Sequence, residues 1–206
     1  MAEGKRESLD PDRICGVAAA LGLKLEASAI ARLTAFGELF LDWSRKINLG
    51  GRIDAGELVS RHFLDAFAVA RFVSPGDRVV DVGSGGGLPV IPLALVRSQA
   101  RFEAYEPTGK KVAFLRTVVR ELGLAEQVTI KPGRVEEPLD QKIVRGFDIA
   151  MSRATFPVSQ WWEIGRRLAR SGGKVIAFGT DEIAVGCPIP AEELRYAVNR
   201  RLLVFT

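Results

Sequence analysis

Between Val79 and Leu95 the sequence reads VVDVGSGGGLPVIPLAL, with glycine at four of the five positions from 83 to 87. An apolar strand ends near an acid, a glycine turn follows, and an apolar helix begins. Such a turn lets the backbone approach a nucleotide and aims the N–H groups of the helix start at it. The dinucleotide fingerprint G-x-G-x-x-G fails in both registers: from Gly83 the sixth position is Leu88, and from Gly85 it is Val90. The residues follow D-x-G-x-G-x-G instead, from Asp81 through Gly83, Gly85 and Gly87. A carboxylate at Asp81 repels a pyrophosphate, whereas S-adenosylmethionine carries a sulfonium and an ammonium that a carboxylate attracts. A second acid, Glu106, closes the next apolar stretch in FEAYEP, where a carboxylate accepts the hydroxyl protons of an adenosine ribose. NAD wants an acid there too, so Glu106 does not separate the two cofactors. Register and Asp81 together favour S-adenosylmethionine. A ligand-free turn is the bland alternative, but so many glycines cost backbone entropy.

Few other side chains are reactive. His62 is the one histidine, with Asp65 three residues on as a partner on the same helical face. Cys15 and Cys187 lie far apart and match no metal-ligand spacing, so no metal is expected and the thiols read as idle in a reducing cytoplasm. With 47% hydrophobic and 26% charged residues, the 206-residue composition is that of a soluble globular protein with a sizeable core. No apolar run is long enough to span a membrane. The polar start MAEGKRESLD lacks the apolar centre of a secretory signal. A formal charge of +4 and a pI near 9.3 permit a nucleic-acid partner without requiring one.

The turn needs a strand before it, a helix after it and a frame around both. Residues 1–73 are expected to form an N-terminal helical region. Asp10-Pro11 supplies a cap and a proline for the first turn, Ile14, Val17, Ala18 and Leu21 share one face, and Gly22 stops the helix. A longer helix carries Leu33, Phe36, Phe40, Trp43 and Ile47 on one stripe, NLGGRID breaks it, and helical spacing resumes over Glu57–Phe72. SPGD at 74–77 opens a second region, 74–206. There, strands are expected at 78–82, 101–105, 127–131, 147–151 and 173–178, helices at 88–97, 109–122 and 157–169, and NRRLLVFT as a terminal strand. Such alternation predicts an α/β fold with a mostly parallel sheet and helices on both faces. A monomer is expected, since no apolar stripe is left without an intramolecular use.

From about Leu41 onward the chain resembles the RsmG (GidB) family. WSRKINLGG is similar to that family's W-x-x-x-x-N-L-T segment and RHFLDA to its R-H-[FI]-L-D-S. DVGSGGGLPVIPLAL resembles D-V-G-[ST]-G-x-G-[FL]-P-G-I-P-L-A-[IL], and TGKKVAFLRTVVRELGL resembles L-G-K-R-x-x-F-L-R-x-[VL]-x-x-E-L-x-L. GRVEE and MSRATFP are similar to x-R-[AV]-E-E and x-S-R-A-x-x-P. Members of that family methylate N7 of a guanosine in the decoding-centre loop of 16S ribosomal RNA. The resemblance therefore implies a class I S-adenosylmethionine methyltransferase of Rossmann-like fold with an N-terminal helical extension. It also implies 16S rRNA or the small ribosomal subunit as partner, in the cytoplasm.

Mapped onto this sequence, the resemblance implies cofactor contacts at Gly83, Leu88, Val135, Glu136 and Arg153, beside Asp81, Gly85 and Glu106. Arg134 and Arg153 follow the third and fourth strands, on the rim where ligands of open sheets bind, and are assigned to orienting RNA phosphates and the guanine edge. For Arg153 the competing reading is a rim salt bridge with Asp81 or Glu136. Asn48 matches the family's asparagine and either closes over cofactor or base or stops a helix locally. Phe156 is placed to stack on an extruded base, or belongs to the core. Lys110 and Lys111, at a helix start, are the RNA-phosphate candidates. His62 is expected to be hydrogen-bonded between helices, because methylating N7 needs no base.

The chain departs from the family pattern at Gly179, where the family places a rim lysine, at Val90 for glycine and at Gly50 for threonine; the stretch between Thr180 and Asn199 is also short. Gly179 keeps open a second reading, a cofactor-binding paralogue that recognises RNA or ribosomes without methyl transfer. A small-molecule methyltransferase is disfavoured by the helical region, and a nicotinamide dehydrogenase by the glycine register.

Overall fold

The structure is a computed structural model that describes residues 8–51, 53–135, 146–179 and 188–206. Helix α1 (Pro11–Ala20) starts as its sequence dictates, with the Asp10 carboxylate accepting from the Asp12 amide at 3.0 Å and Pro11 in the first turn. Helix α2 (Ala27–Ser44) buries Leu33, Phe36, Phe40 and Leu41. A short α3 (Ala55–Glu57), capped by Asp54 on the Glu57 amide at 2.7 Å, leads into a π-helical segment, Leu58–Phe63, and then α4 (Leu64–Ala70). The single helix expected over 57–72 is thus wound wider at Leu58–Phe63. Apolar residues at 58, 63, 64 and 67 suit either winding, which hid the change from the sequence.

The rest alternates strand and helix: β1 (Arg78–Val82), α5 (Val90–Val96), β2 (Arg101–Glu106), α6 (Gly109–Glu121), β3 (Val128–Pro132), β4 (Phe147–Ser152), α7 (Val158–Leu168), β5 (Ala169–Gly179), β6 (Glu192–Ala197) and β7 (Arg200–Phe205). The sheet order is β3-β2-β1-β4-β5-β7-β6. Strands β1 to β5 are parallel, while β7 runs antiparallel to β5 and β6 antiparallel to β7. Chain order reverses on either side of β1, which opens a crevice outside the carboxyl ends of β1 and β4. Strand β5 begins earlier than expected because Ala169 pairs with Phe147 ahead of a register shift. Strand β6 was not foreseen. Its sequence EELRYA is polar at most positions and lies at the sheet edge, so it carries little apolar alternation.

Helices cover both faces. One continuous hydrophobic cluster joins α1, α2, α4, α5 and α6 to Val79, Phe102, Ile149, Ile176 and Val204 on the sheet, so the helical region before residue 73 and the sheet share a core. Aromatic rings knit it together: Phe36 stacks on Phe63 at 6.0 Å, and Phe114 meets Phe40 at 6.1 Å and Trp43 at 5.5 Å. Each of the four fully buried phenylalanine rings contributes roughly 1.5–3 kcal/mol through removal from water. The opposite face packs Val80, Ala150, Leu203 and Phe205 against Trp161, Ile164 and Leu168 of α7.

Candidate cofactor and substrate site

The glycine turn lies at the end of β1. The amides of Gly83 and Ser84 both donate to the Tyr105 carbonyl, at 2.9 and 3.0 Å, which ties the turn to β2. Two positions show why glycine is required. Gly83 has φ +78°, and a Cβ there would lie 2.2 Å from Thr155 Oγ1; at Gly86 a Cβ would lie 2.5 Å from Phe40 Cε2. The exit of β4 closes on the turn from one side and α2 from the other, leaving room only for backbone.

Two buried carboxylates support the turn. Glu106, 3% exposed, accepts the Gly85 amide on Oε2 and the Thr108 amide on Oε1, both at 2.8 Å. Asp81, 1% exposed, has an Oδ2 with no hydrogen-bond partner among the described residues. Burial pushes the Asp81 carboxyl up to about 7, against the pull of a Ser84 hydrogen bond and the Arg153 charge. A buried carboxyl with an orphaned oxygen is costly, and an incoming cation relieves that cost.

A cleft of about 720 Å³ opens beside the turn. Among the residues expected from sequence, Gly83, Arg134, Val135 and Phe156 line it. Tyr105, Gln160, Glu163 and Ile164 line it as well and were not foreseen. Gln160 and Glu163 project from α7, where their spacing is indistinguishable in sequence from an ordinary solvated face. Phe156 is parallel to Trp161 at 6.0 Å and 13°, so one face of its ring is committed to the core and the other remains for the cleft. Trp161 is itself fixed by an Nε1–H donated to the Ile176 carbonyl at 2.9 Å.

Arg153 sits on the helical side of the same rim, and its partners correct two expectations. Its Nη1 donates to Asp65 Oδ2 at 2.8 Å and lies 2.6 Å from His62 Nδ1, so the described salt bridge is to Asp65 rather than Asp81. His62 is paired with Arg153 and not with Asp65 directly. Burial, then the Arg153 charge, lower the His62 imidazole to about 4. The other Asp65 oxygen accepts from Tyr196 Oη at 2.8 Å and Arg200 Nη1 at 2.5 Å. No sequence signal pointed to Tyr196 or Arg200.

Several expected residues lie elsewhere. The Asn48 Oδ1 accepts from the Gly50 and Gly51 amides at 3.1 and 3.0 Å, and Asn48 borders a separate cleft of about 660 Å³ with Ser44, Lys46 and Ile53. This is a local turn in the loop after α2, which already ends at Ser44. Leu88 is 7% exposed within the core cluster of the helical face. Lys110 is exposed in the first turn of α6 and Lys111 half-buried beside it; neither lines the main cleft. Glu136 and Cys187 lie outside the described residues. At Gly179 the missing side chain is replaced in space by its cross-strand partner: a Cβ there would lie 3.4 Å from Arg201 Cγ and Nε. Arg201 is 3% exposed, with Nη1 on Glu193 at 3.1 Å and Nε and Nη2 without a hydrogen-bond partner among the described residues.

The residues present fit S-adenosylmethionine: the unpaired Asp81 oxygen suits a cationic group, and only backbone can approach a ligand at the turn. Strand order with a reversed β7, the glycine turn and the acids ending β1 and β2 define a Rossmann-like class I methyltransferase fold. Among solved structures, an RNA methyltransferase from Salinibacter ruber in complex with S-adenosyl-L-homocysteine superposes with a TM-score of 0.56 at 19% identity, over 69% of this chain and 88% of that one. A SAM-dependent methyltransferase from Geobacter sulfurreducens gives 0.51 at 19% identity, over 71% of this chain and 57% of that one.

Within that fold the chain belongs to the GidB family, rRNA small subunit methyltransferase G, whose family model matches residues 29–184. The ribosomal RNA small subunit methyltransferase G of Methylococcus capsulatus is 40% identical over 146 residues, 71% of this chain and 69% of the relative. That of Alkalilimnicola ehrlichii is 36% identical over 197 residues, 90% of this chain and 87% of the relative.

Proposed function

We propose that this protein transfers a methyl group from S-adenosylmethionine to N7 of a guanine in small-subunit ribosomal RNA. The observation that carries the reading is the buried, half-unpaired Asp81 carboxylate under the glycine turn, in a chain of this family. The cofactor supplies an electrophilic methyl group on a sulfonium sulfur. Asp81 would answer the positive charge of its amino-acid end, Glu106 the ribose, and Arg153 its carboxylate, while Gly83, Gly85 and Val135 offer backbone and apolar contact.

Guanine N7 carries an exposed lone pair, so no side chain has to remove a proton before attack. This agrees with a His62 imidazole that is buried and committed to Arg153. The protein's task is to hold N7 in line with the methyl group, and proximity and orientation supply most of the acceleration. The free face of Phe156 and the cleft wall at Gln160 and Glu163 would receive the extruded base. Arg134, Lys110 and Lys111 would meet phosphates. Cations directly beside N7 would oppose the charge that forms on the purine, which keeps these groups on the backbone and not at the reacting atom.

The test is methyl transfer from labelled cofactor to small subunits and to naked 16S rRNA from a strain lacking this gene, with the product mapped by cleavage selective for N7-methylguanosine. A single labelled guanosine in the decoding-centre loop is the expected result. Cofactor binding without label in either substrate would overturn it in favour of a binding-only paralogue.

A further inference from the structure

Asp65 is 2% exposed, and three donors from two distant parts of the chain converge on it. Tyr196 and Arg200 from the β6–β7 hairpin bond Oδ1, and Arg153 from the exit of β4 bonds Oδ2. The Arg153 Nη1 that reaches Asp65 also faces His62 Nδ1 at 2.6 Å. A guanidinium has only donors, so Nδ1 must be the acceptor and the imidazole is neutral with its proton on Nε2. Arg153 is thereby gripped at one nitrogen by a charged acceptor and a neutral one, both presented by the turn that spans the π-helical segment and α4.

The grip holds one edge of the guanidinium and leaves the other. Nε and Nη2 of Arg153 make no hydrogen bond among the described residues, and the side chain keeps 20% of its surface exposed. Thr155, two residues on, lines the cleft, and the Arg153 charge reaches Asp81. The local charge is also out of balance. One carboxylate faces two guanidiniums beside a neutral imidazole, so the cluster carries one surplus positive charge in a half-buried place. Such a surplus is matched by an anion, and a planar guanidinium edge matches a carboxylate in bidentate fashion.

We propose that Asp65 and His62 are positioning residues that aim the free edge of Arg153 at the carboxylate of the cofactor's methionyl end. The inference rests on the S-adenosylmethionine reading above. Asp65 supplies the charge that lets a guanidinium sit there, and His62 supplies the second acceptor that fixes its rotation. The hairpin joins through Arg200 and Tyr196, which anchor the opposite oxygen and keep the carboxylate from turning.

The test compares calorimetric affinities of the full chain for S-adenosylmethionine and for its decarboxylated analogue. The unmodified protein is expected to prefer the carboxylate-bearing ligand by about tenfold or more, as a charge-assisted hydrogen bond is lost with the analogue. In His62→Leu and Asp65→Asn the preference is expected to fall to about threefold or less. His62→Asn, which retains an acceptor near the Nδ1 position, restores it. Should Asp65→Asn fail to fold, the His62 pair alone decides, since leucine and asparagine there differ chiefly in the acceptor. Equal weakening of both ligands with the ratio preserved would mean a structural role only and overturn the proposal. So would an unmodified protein that binds both ligands equally, which would direct Arg153 to an RNA phosphate. Binding of neither ligand would overturn the cofactor reading itself.

Discussion

Asp81 and His62 are both buried ionisable groups, and the fold moves them in opposite directions with opposite consequences for pH. Asp81 rises from 3.8 to about 7, so between those values the folded protein holds a proton that the unfolded chain releases. The stability this contributes is complete below 3.8 and is lost as the pH climbs through 7. His62 falls from 6.5 to about 4, so its contribution is present above 6.5 and is lost as the pH falls through 4. Across the shared window the two offset one another; above 6.5 only the Asp81 loss continues. Thermal unfolding of the ligand-free protein is therefore expected to shift to lower temperature between about pH 6.5 and 8, and Asp81→Asn to abolish that decline. Cofactor affinity runs the other way. The charged Asp81 is the form that attracts a cation, so calorimetric affinity is expected to rise about tenfold from pH 6 to 8 in the unmodified protein and to stay flat in Asp81→Asn. A flat profile in the unmodified protein would remove Asp81 from the cofactor site.

At the scale of elements, the site depends on how closely β4 and α2 approach the turn after β1. Gly83→Ala places a methyl group against Thr155 in a backbone conformation that side chains disfavour. Unfolding stability is expected to drop by about 1–3 kcal/mol, and cofactor affinity to fall by more than tenfold because the turn or the β4 exit must move. Ligand titration at a temperature where the variant is folded checks both. A variant that binds normally would show that the turn can shift without cost. These elements were legible because their signals are local. Strand β1, its terminal acid and the glycines are contiguous, and β1 to β4 alternate with helices at a regular spacing. Strand β6 was not legible, since its inward face is recorded by only two half-buried residues, Leu194 and Tyr196, too short an alternation to stand out among polar neighbours. Nor was the π-helical segment, whose apolar spacing fits two windings. The glycine turn also shows where sequence stops: it announces a ligand, but not that Thr155, Gln160 and Glu163 form the opposite wall.

For the molecule as a whole, the pairings that sequence missed are those made across long stretches of chain. Asp65 meets Arg153, Tyr196 and Arg200 at separations of 88, 131 and 135 residues, and no local pattern encodes such a meeting. Only the folded sheet, which carries the β7 hairpin back beside the helical layer, brings them together. The same assembly arranges charge. The net charge of +4 is small, so a long-range field contributes little and any RNA affinity must come from where individual cations lie. Lys110 and Lys111 lie in the first turn of α6, and no ion pair involving either occurs among the described residues. Unpaired lysines at a helix start can neutralise phosphates without first breaking a bond. Each phosphate so neutralised releases counterions, giving a slope in log affinity against log salt of roughly 0.7–0.9 per contact. Replacing both lysines with glutamine is therefore expected to weaken binding to 16S rRNA and lower the magnitude of that slope by about 1.5. Filter binding across a salt series measures this directly. An unchanged slope would move the RNA path off α6, toward the cleft that Lys46 and Asn48 border at the end of α2.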